Sequence, residues 1–320
     1  MSDTCLQFEA DLSNLDADDW FAEIEEIAED FGYFEHLGPD HAATFLEAGP
    51  RLLVTFEDAA TVRKVRPDGM PLGFDFARKD GWSVLTILSH DESWFRSGFV
   101  YRFFDQLTDD GFFEGFDRVL FHGVGPRGYA AAAFSVAAPG AHVLAIRPQA
   151  TLDPELTGWD TRFREPRRHD FNDRYGYAPD MIDAAGRVWV IYTPAVAQDA
   201  MHAALFRRPN VDLLRAGGLM AKVEIGLDAL NLRGELIRLA MSGELNRQKL
   251  GYLLQARKNY APYLRGLVRR ARQAGHDQLA ADACAHILQR GHDPFFAAQL
   301  AELGETGVRP QHRFSASAAE

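Results

Sequence analysis

The stretch Asp117-Arg-Val-Leu-Phe-His-Gly-Val-Gly-Pro-Arg-Gly-Tyr-Ala-Ala-Ala-Ala-Phe-Ser135 decides how the rest of the chain is read. Val119-Leu-Phe121 is an apolar strand signal, Gly123 to Gly128 a tight glycine turn, and Arg127 to Ala137 an alanine-rich helix. In α/β folds a strand–turn–helix junction of this kind holds either a catalytic nucleophile or a phosphate cradle.

On both sides of the junction, short apolar runs alternate with helical ones. Leu52-Leu-Val-Thr-Phe56 and Trp82-Ser-Val-Leu-Thr-Ile-Leu88 precede it as strands, with a helical, aromatic-rich segment from Phe99 to Leu107 between them and the junction. Val143-Leu-Ala-Ile146, Val188-Trp-Val-Ile-Tyr192 and Val211-Asp-Leu-Leu214 follow, with a helix around Ala197 to Phe206. Near-continuous apolar strands separated by helices predict a mostly parallel sheet with helices on both faces. An acidic amphipathic helix opens the chain, capped by Asp16 and carrying Trp20, Ile24, Ile27 and Phe31 toward a stop at Gly32.

Beyond residue 226 strand signals cease. Helices follow one another through breaks such as Ala274-Gly-His276 and Arg290-Gly-His292, which predicts an α-helical appendage over 227–312 and a frayed polar tail over 313–320. Residues 1–226 then form the α/β domain.

Composition limits the function classes. The formal net charge of −12 argues against nucleic acid and anionic membrane as partners. No apolar run approaches the roughly 18 residues of a membrane span. The polar, acidic N-terminus is unlike a signal peptide. The two cysteines, Cys5 and Cys284, are far apart, and a cytoplasmic location is the expectation. The eleven histidines show no metal-ligand spacing, so no metal and no cofactor are expected.

The glycine turn supports two assignments. Gly123-Val-Gly125-Pro-Arg-Gly128 matches the dinucleotide fingerprint G-x-G-x-x-G. That site requires an acid about 20 residues on, at the end of the next strand; here the strand ends Ile146-Arg147. The other assignment is a nucleophile elbow, G-x-S-x-G, with the serine position at Gly125.

Val119-Leu-Phe-His-Gly123, Gly128-Tyr-Ala-Ala131, Val143-Leu-Ala-Ile146 and Pro148-Gln149, in that order, resemble a group of bacterial α/β-hydrolase-like proteins. The likeness spans roughly residues 50 to 225 and is specific in the central third. It implies an α/β-hydrolase-like fold with an elbow at Gly125, an acid after the strand ending at Tyr192, and a histidine after Val211–Leu214. Asp199 is the nearest acid, and His202 lies on the same helix. After Leu214 the chain reads Arg215-Ala-Gly-Gly-Leu-Met220, without histidine. Gly125 cannot attack a carbonyl, and triad members act as a unit.

Proteins of this appearance often carry the name phosphoadenosine phosphosulfate reductase. Neither the Ser-Gly-Gly-x-Asp-Ser loop nor the Glu-Cys-Gly-Leu-His motif of that chemistry is present, and Cys284 falls mid-helix in Ala281-Asp-Ala-Cys-Ala-His286. The leading expectation is therefore a catalytically degenerate binding or scaffold module.

Its candidate ligand is an anionic small molecule at Gly123, Gly125, Arg127 and Gly128, with Gln149 and Asp153 beyond the next strand. Its candidate protein partner would bind through the helical C-terminal region. The alternatives are a hydrolase or transferase with a relocated nucleophile, for which Ser89, Ser93 and Ser135 are the nearest serines, and a nucleotide-dependent oxidoreductase. Two basic segments complete the candidates: Arg162-Phe-Arg-Glu-Pro-Arg-Arg-His169, and Arg265, Arg269 and Arg272 on one helix face near Tyr260 and Tyr263.

Overall fold

The computed structural model describes residues 5–219 and 221–311; the tail expected to fray, 313–320, lies outside them. The chain opens with α1 (Ala17–Phe31), whose N-cap Asp16 accepts the Asp19 N–H. A hairpin follows, β1 (Gly32–His36) and β2 (His41–Leu46), and then β3 (Arg51–Asp58), α2 (Ala59–Val65), α3 (Leu72–Asp80) and β4 (Ser83–Ser89). The middle of the chain supplies α4 (Gly98–Asp109), β5 (Arg118–Val124), α5 (Pro126–Phe134) and β6 (His142–Ile146). Two single turns, α6 (Pro154–Thr157) and α7 (Ala178–Met181), lead to β7 (Arg187–Tyr192), α8 (Ala197–Leu205) and β8 (Val211–Arg215). The rest is helical: α9 (Val223–Ala229), α10 (Arg233–Met241), α11 (Arg247–Leu253), α12 (Ala261–Gln273), α13 (Asp277–Leu288) and α14 (Pro294–Glu305).

All eight strands form one sheet in the order β1-β2-β4-β3-β5-β6-β7-β8. The β1–β2 and β2–β4 pairings are antiparallel, and the five others are parallel. The expected mostly parallel sheet with helices on both faces is present, and each strand signal read from the sequence is a strand. The β1–β2 hairpin was not legible. His41-Ala-Ala-Thr-Phe-Leu46 carries alanines of low strand propensity, and its pairing with β4 is what makes it extended.

Two apolar clusters cover the two faces. On one, Phe56, Phe104, Phe134 and Tyr175 stack in sequence, Phe134 lying 4.6 Å from both Phe104 and Tyr175. Ala130 to Ala133 of α5 are all buried there; their small side chains let the helix lie close to the sheet. The other face is covered by α1, α3 and α10. Trp20 Nε1 donates to the Gly69 carbonyl at 2.7 Å, and Trp189 Nε1 to the Leu245 carbonyl at 2.8 Å, which satisfies both buried indoles.

This second cluster includes Leu227, Leu236, Ile237, Leu245, Leu250 and Leu254. The sequence reading set the domain boundary at 226/227, but the cover of the sheet continues to Leu254. A separate small cluster of Val268, Ala280, Ala281, Cys284, Phe296 and Leu303 holds α12, α13 and α14 together. The basic residues of α12 are drawn into this unit: Arg265 pairs with Asp293 at 2.9 Å, Arg272 bonds Gln299 and Glu302, and Arg269 lies over the Phe295 ring. Among the described residues no helix is long and apolar enough to cross a membrane.

Phe134 is the hinge of the aromatic stack. Phe134→Ala is expected to lower the unfolding free energy by about 3–5 kcal/mol, whereas Leu279→Ala, at an exposed position, should change it by about 0.5 kcal/mol or less. Urea unfolding followed by circular dichroism measures both.

Candidate functional site

The turn between β5 and α5 is sharp. Gly125 has φ 60° and ψ −125°, a left-handed conformation that is strained for any residue with a side chain. Its N–H donates to the Ile146 carbonyl at 2.9 Å, and its own carbonyl accepts the Tyr129 N–H at 3.0 Å. A Cβ on Gly123 would lie 2.1 Å from the Arg127 carbonyl oxygen, so only glycine allows α5 to return this closely onto the strand. Gly128 is tight as well, its Cβ position lying 3.1 Å from the Gly123 carbonyl oxygen.

This is the elbow geometry, set at the carboxyl end of a central parallel strand. The fold is α/β-hydrolase-like. The elbow nevertheless presents no hydroxyl at residue 125, and the next residue, Pro126, has no N–H. In α/β hydrolases that amide is one of the two oxyanion-hole donors. The Gly125-Pro126 dipeptide is the sequence signal of this missing amide.

Charges around the elbow are paired internally. Arg127 forms an ion pair with Asp58, the N-cap of α2, and its Nε reaches the Val124 carbonyl at 3.4 Å. Burial, the largest effect, pulls the Arg127 guanidinium below its ordinary value. Arg147, at φ 53°, binds Glu224 through Nε at 3.2 Å and Nη2 at 2.9 Å. Its Nη2 stands 3.4 Å from where a Gly125 Cβ would be. The space above the elbow is thus occupied by a two-pronged ion pair.

Asp199 and His202 are buried on α8 but are not arranged as base and orienter. Asp199 Oδ1 accepts from Arg162 Nη1 at 2.7 Å. His202 Nδ1 accepts the Ala150 N–H at 3.1 Å, so its proton is on Nε2, which donates to Asp160 Oδ2 at 3.0 Å. Both ring nitrogens are committed, and none is left to take a proton from a nucleophile. Burial is the largest effect on both titratable partners. It pulls His202 down, and it would raise Asp160, whose hydrogen bonds from His202 and Arg162 prevail and hold the carboxylate far below its ordinary range.

Arg162 therefore serves two buried carboxylates, while Arg164, Arg168 and His169 of the same basic segment are exposed. Arg167 bonds the Thr157 carbonyl and Arg168 pairs with Glu165. Beyond β6, Gln149 Nε2 donates to the Arg147 carbonyl at 3.3 Å, and Asp153 caps α6 by accepting the Glu155 N–H at 2.9 Å. Gly123, Gly125, Arg127 and Gly128 are thus gathered at the elbow with Gln149 two residues past Arg147, whereas Asp153 serves its own helix.

After β8, residues 215–219 contain no histidine, and Met220 lies outside the described residues. Among the described residues no group of three or more metal-ligating side chains comes together. Cys284 is buried, and burial pushes its thiol up to about 11, the opposite of a redox-poised cysteine.

No protein-family model matches the chain, and no curated protein does. Among solved structures it is similar to an esterase of Pyrobaculum calidifontis, with 15% identity, a TM-score of 0.41, and coverage of 78% of this chain and 95% of that one. It is also similar to EstE1, a thermophilic carboxylesterase cloned from a metagenomic library, at 13% identity and TM-score 0.42, over 71% of this chain and 98% of that one. A third similar structure is the capsule O-acetyltransferase of Neisseria meningitidis serogroup A, at 8% identity and TM-score 0.38, over 60% and 89%.

Two outcomes test this geometry. Gly123→Ala is expected to destabilise the protein by roughly 2 kcal/mol or more, because backbone must move to admit the methyl group; thermal unfolding reads it. Stability should also fall on mild acidification. His41, His122, His142 and His202 all sit below the ordinary imidazole value, chiefly through burial, His41 at about 4 and His122 at about 3. Below about pH 6.5 the unfolded chain binds protons that the folded one refuses, so this stability is full above pH 6.5 and is lost as pH falls toward 4. Each such group adds a slope of up to roughly 1.4 kcal/mol per pH unit. His122 donates Nδ1–H to the Leu144 carbonyl and keeps a buried Nε2 without a hydrogen-bond partner among the described residues, and His122→Gln should flatten the profile in urea titrations between pH 7.5 and 4.5.

Proposed function

We propose that this protein is a catalytically degenerate α/β-hydrolase-like module that binds rather than hydrolyses. The Gly125-Pro126 pair carries this reading. An elbow hydrolase needs a nucleophile at the first position and an amide at the second to hold the developing oxyanion, and this chain provides neither. The commitment of His202 to Ala150 and Asp160, and of Asp199 to Arg162, supports the same conclusion from the base and acid side.

Anion binding at the elbow would have to break the Arg127–Asp58 and Arg147–Glu224 pairs. The dinucleotide assignment meets the same obstacle, since the residue ending β6 is Arg147 in its pair with Glu224. The binding role is therefore assigned to surfaces away from the elbow, including, for a protein partner, the three-helix unit of α12–α14.

One observation favours the alternative of a relocated nucleophile. His41 Nε2 lies 2.9 Å from Ser93 Oγ, in the loop after β4, next to Phe95 at φ 56°. Against it, His41 is a weak base, pulled down to about 4 by burial, and among the described residues no hydrogen bond to its Nδ1 orients the ring. Ser93 Oγ already accepts the Phe95 N–H at 2.9 Å. Ser89 Oγ donates to the Asp91 carbonyl and Ser135 Oγ to the Ala132 carbonyl, both as local caps.

A serine-directed fluorophosphonate probe separates the two readings. The wild-type chain is expected to remain unlabelled, and Gly125→Ser is expected to gain no measurable ester hydrolysis, because it restores one part of a unit. Labelling of wild type that disappears in Ser93→Ala would replace the binding reading with the enzyme.

A further inference from the structure

Charge is distributed unevenly along this chain. The first 50 residues hold fourteen Asp and Glu and no Lys or Arg, whereas residues 245–276 hold eight Lys and Arg and no Asp or Glu. On α1 the acids are surface groups: Asp18, Asp19, Glu23, Glu26, Glu29 and Asp30 are exposed, while Trp20, Ile24, Ile27 and Ala28 are buried. Asp19 and Glu23, and Glu26 and Asp30, stand four residues apart, a like-charge spacing that weakens a helix. The last turn of α1 carries no basic residue, so Glu29 and Asp30 face the negative end of the helix dipole without compensation. Among the described residues the side chains of these six acids have neither an ion-pair nor a hydrogen-bond partner.

The basic segment is only half matched. Lys249 pairs with Glu244, Arg265 with Asp293 and Arg272 with Glu302, and Arg269 lies over the Phe295 ring. Arg247, Arg257, Lys258 and Arg270 have no carboxylate partner among the described residues. Arg257 and Lys258 end the short 3-10 helix Leu254–Asn259, between α11 and α12. Arg290, exposed and likewise without a carboxylate, joins them by donating from Nη1 to Asn259 Oδ1 at 3.2 Å. The Arg257 guanidinium lies 5.4 Å from the Tyr263 ring centre, and Tyr252 of α11 is 79% exposed. Arginine beside tyrosine is a composition enriched at protein interfaces. No ion pair joins α1 to this surface within one chain, among the described residues.

We propose that the two surfaces bind each other between copies: α1 of one chain docks on the basic, tyrosine-bearing surface around Arg257, Lys258 and Arg290 of a second. A polyanion from elsewhere would satisfy the basic surface alone, whereas a second copy satisfies both. The net charge of −12 on each copy opposes association at long range. At about 0.15 M salt the Debye length is about 8 Å, so that overall repulsion is screened while charges in contact are not. Used reciprocally, the two contacts close a two-fold dimer. This assignment rests on the reading that the helical C-terminal region binds a protein, and it names that protein. It does not depend on the elbow: a fluorophosphonate-reactive Ser93 would end the reading of the elbow as degenerate and leave this contact untouched.

Sedimentation equilibrium of the full chain at about 100 μM, in about 0.1 M and about 0.5 M salt, tests it. Assemblies of two or more chains are expected at the lower salt and single chains at the higher. Charge reversal on either surface, by Glu23→Lys with Glu26→Lys or by Arg257→Glu with Lys258→Glu, is expected to weaken self-association about tenfold or more. An equimolar mixture of the two reversed chains is expected to associate again, because each surface of one then meets the opposite charge on the other. Glu23, Glu26 and Lys258 are exposed and Arg257 partly so. Circular dichroism identifies reversed chains that remain folded, and Glu23→Gln with Glu26→Gln, a milder change, is expected to weaken association to a smaller degree. Single chains at the lower salt, association undiminished at the higher, or association unchanged in both folded reversed chains overturns the proposal. So does failure of the mixture to associate. Binding of a labelled single-stranded oligonucleotide by single chains, lost in Arg257→Glu with Lys258→Glu, would overturn it as well and assign the basic surface to nucleic acid.

Discussion

The close approach of α5 to β5 is the constraint on which the rest of the molecule turns. Gly125 reverses the chain in a left-handed conformation, and Gly123 must lack a side chain because the Arg127 carbonyl occupies the space. Only then do Ala130 to Ala133 lie flat on the sheet and Phe134 enter the stack with Phe56, Phe104 and Tyr175. The turn that holds a nucleophile in a hydrolase is here a corner of the architecture. Its backbone lets α5 pack against the sheet, whether or not a hydroxyl stands on it.

The arrangement of charge follows the same division. At the carboxyl edge of the sheet the arginines are matched by carboxylates: Arg127 by Asp58, Arg147 by Glu224, and Arg162 by Asp160 and Asp199. Buried pairs of this kind add little net stability, since desolvation offsets their attraction, but removing one partner leaves a charge stranded. Their effect is to hold the loops above the elbow in place and to fill the crevice. At the amino edge α10 and the turn after it take up basic residues through their carbonyls, which accept from Arg118, His142 and Arg187.

Much of this fold was legible because it is written in local periodicity. Apolar runs such as Val188-Trp-Val-Ile-Tyr192 could only be buried strands, and the glycine spacing at 123, 125 and 128 placed the elbow. That residue 125 is glycine, that residue 126 is proline and that residues 215–220 hold no histidine were equally plain. Less visible were β1 and β2, whose extended form comes from pairing, and α9–α11. Those three helices continue the core as far as Leu254 although no strand follows them, because the second face of the sheet has to be covered.

What the sequence by itself determined is the alternation of strands and helices from β3 to β8 and the position and residue content of the turn. These depend on neighbours along the chain, through side-chain period and backbone freedom. Which acid meets which base was decided only in the tertiary structure. Asp199 and His202 lie three residues apart on α8, yet one is bound to Arg162 and the other to Asp160 and the Ala150 amide, all from the loop after β6. Arg51 and Arg118 are 67 positions apart and adjacent in register. Partner choice of this kind is set by the packing of distant elements, and local sequence carries no record of it.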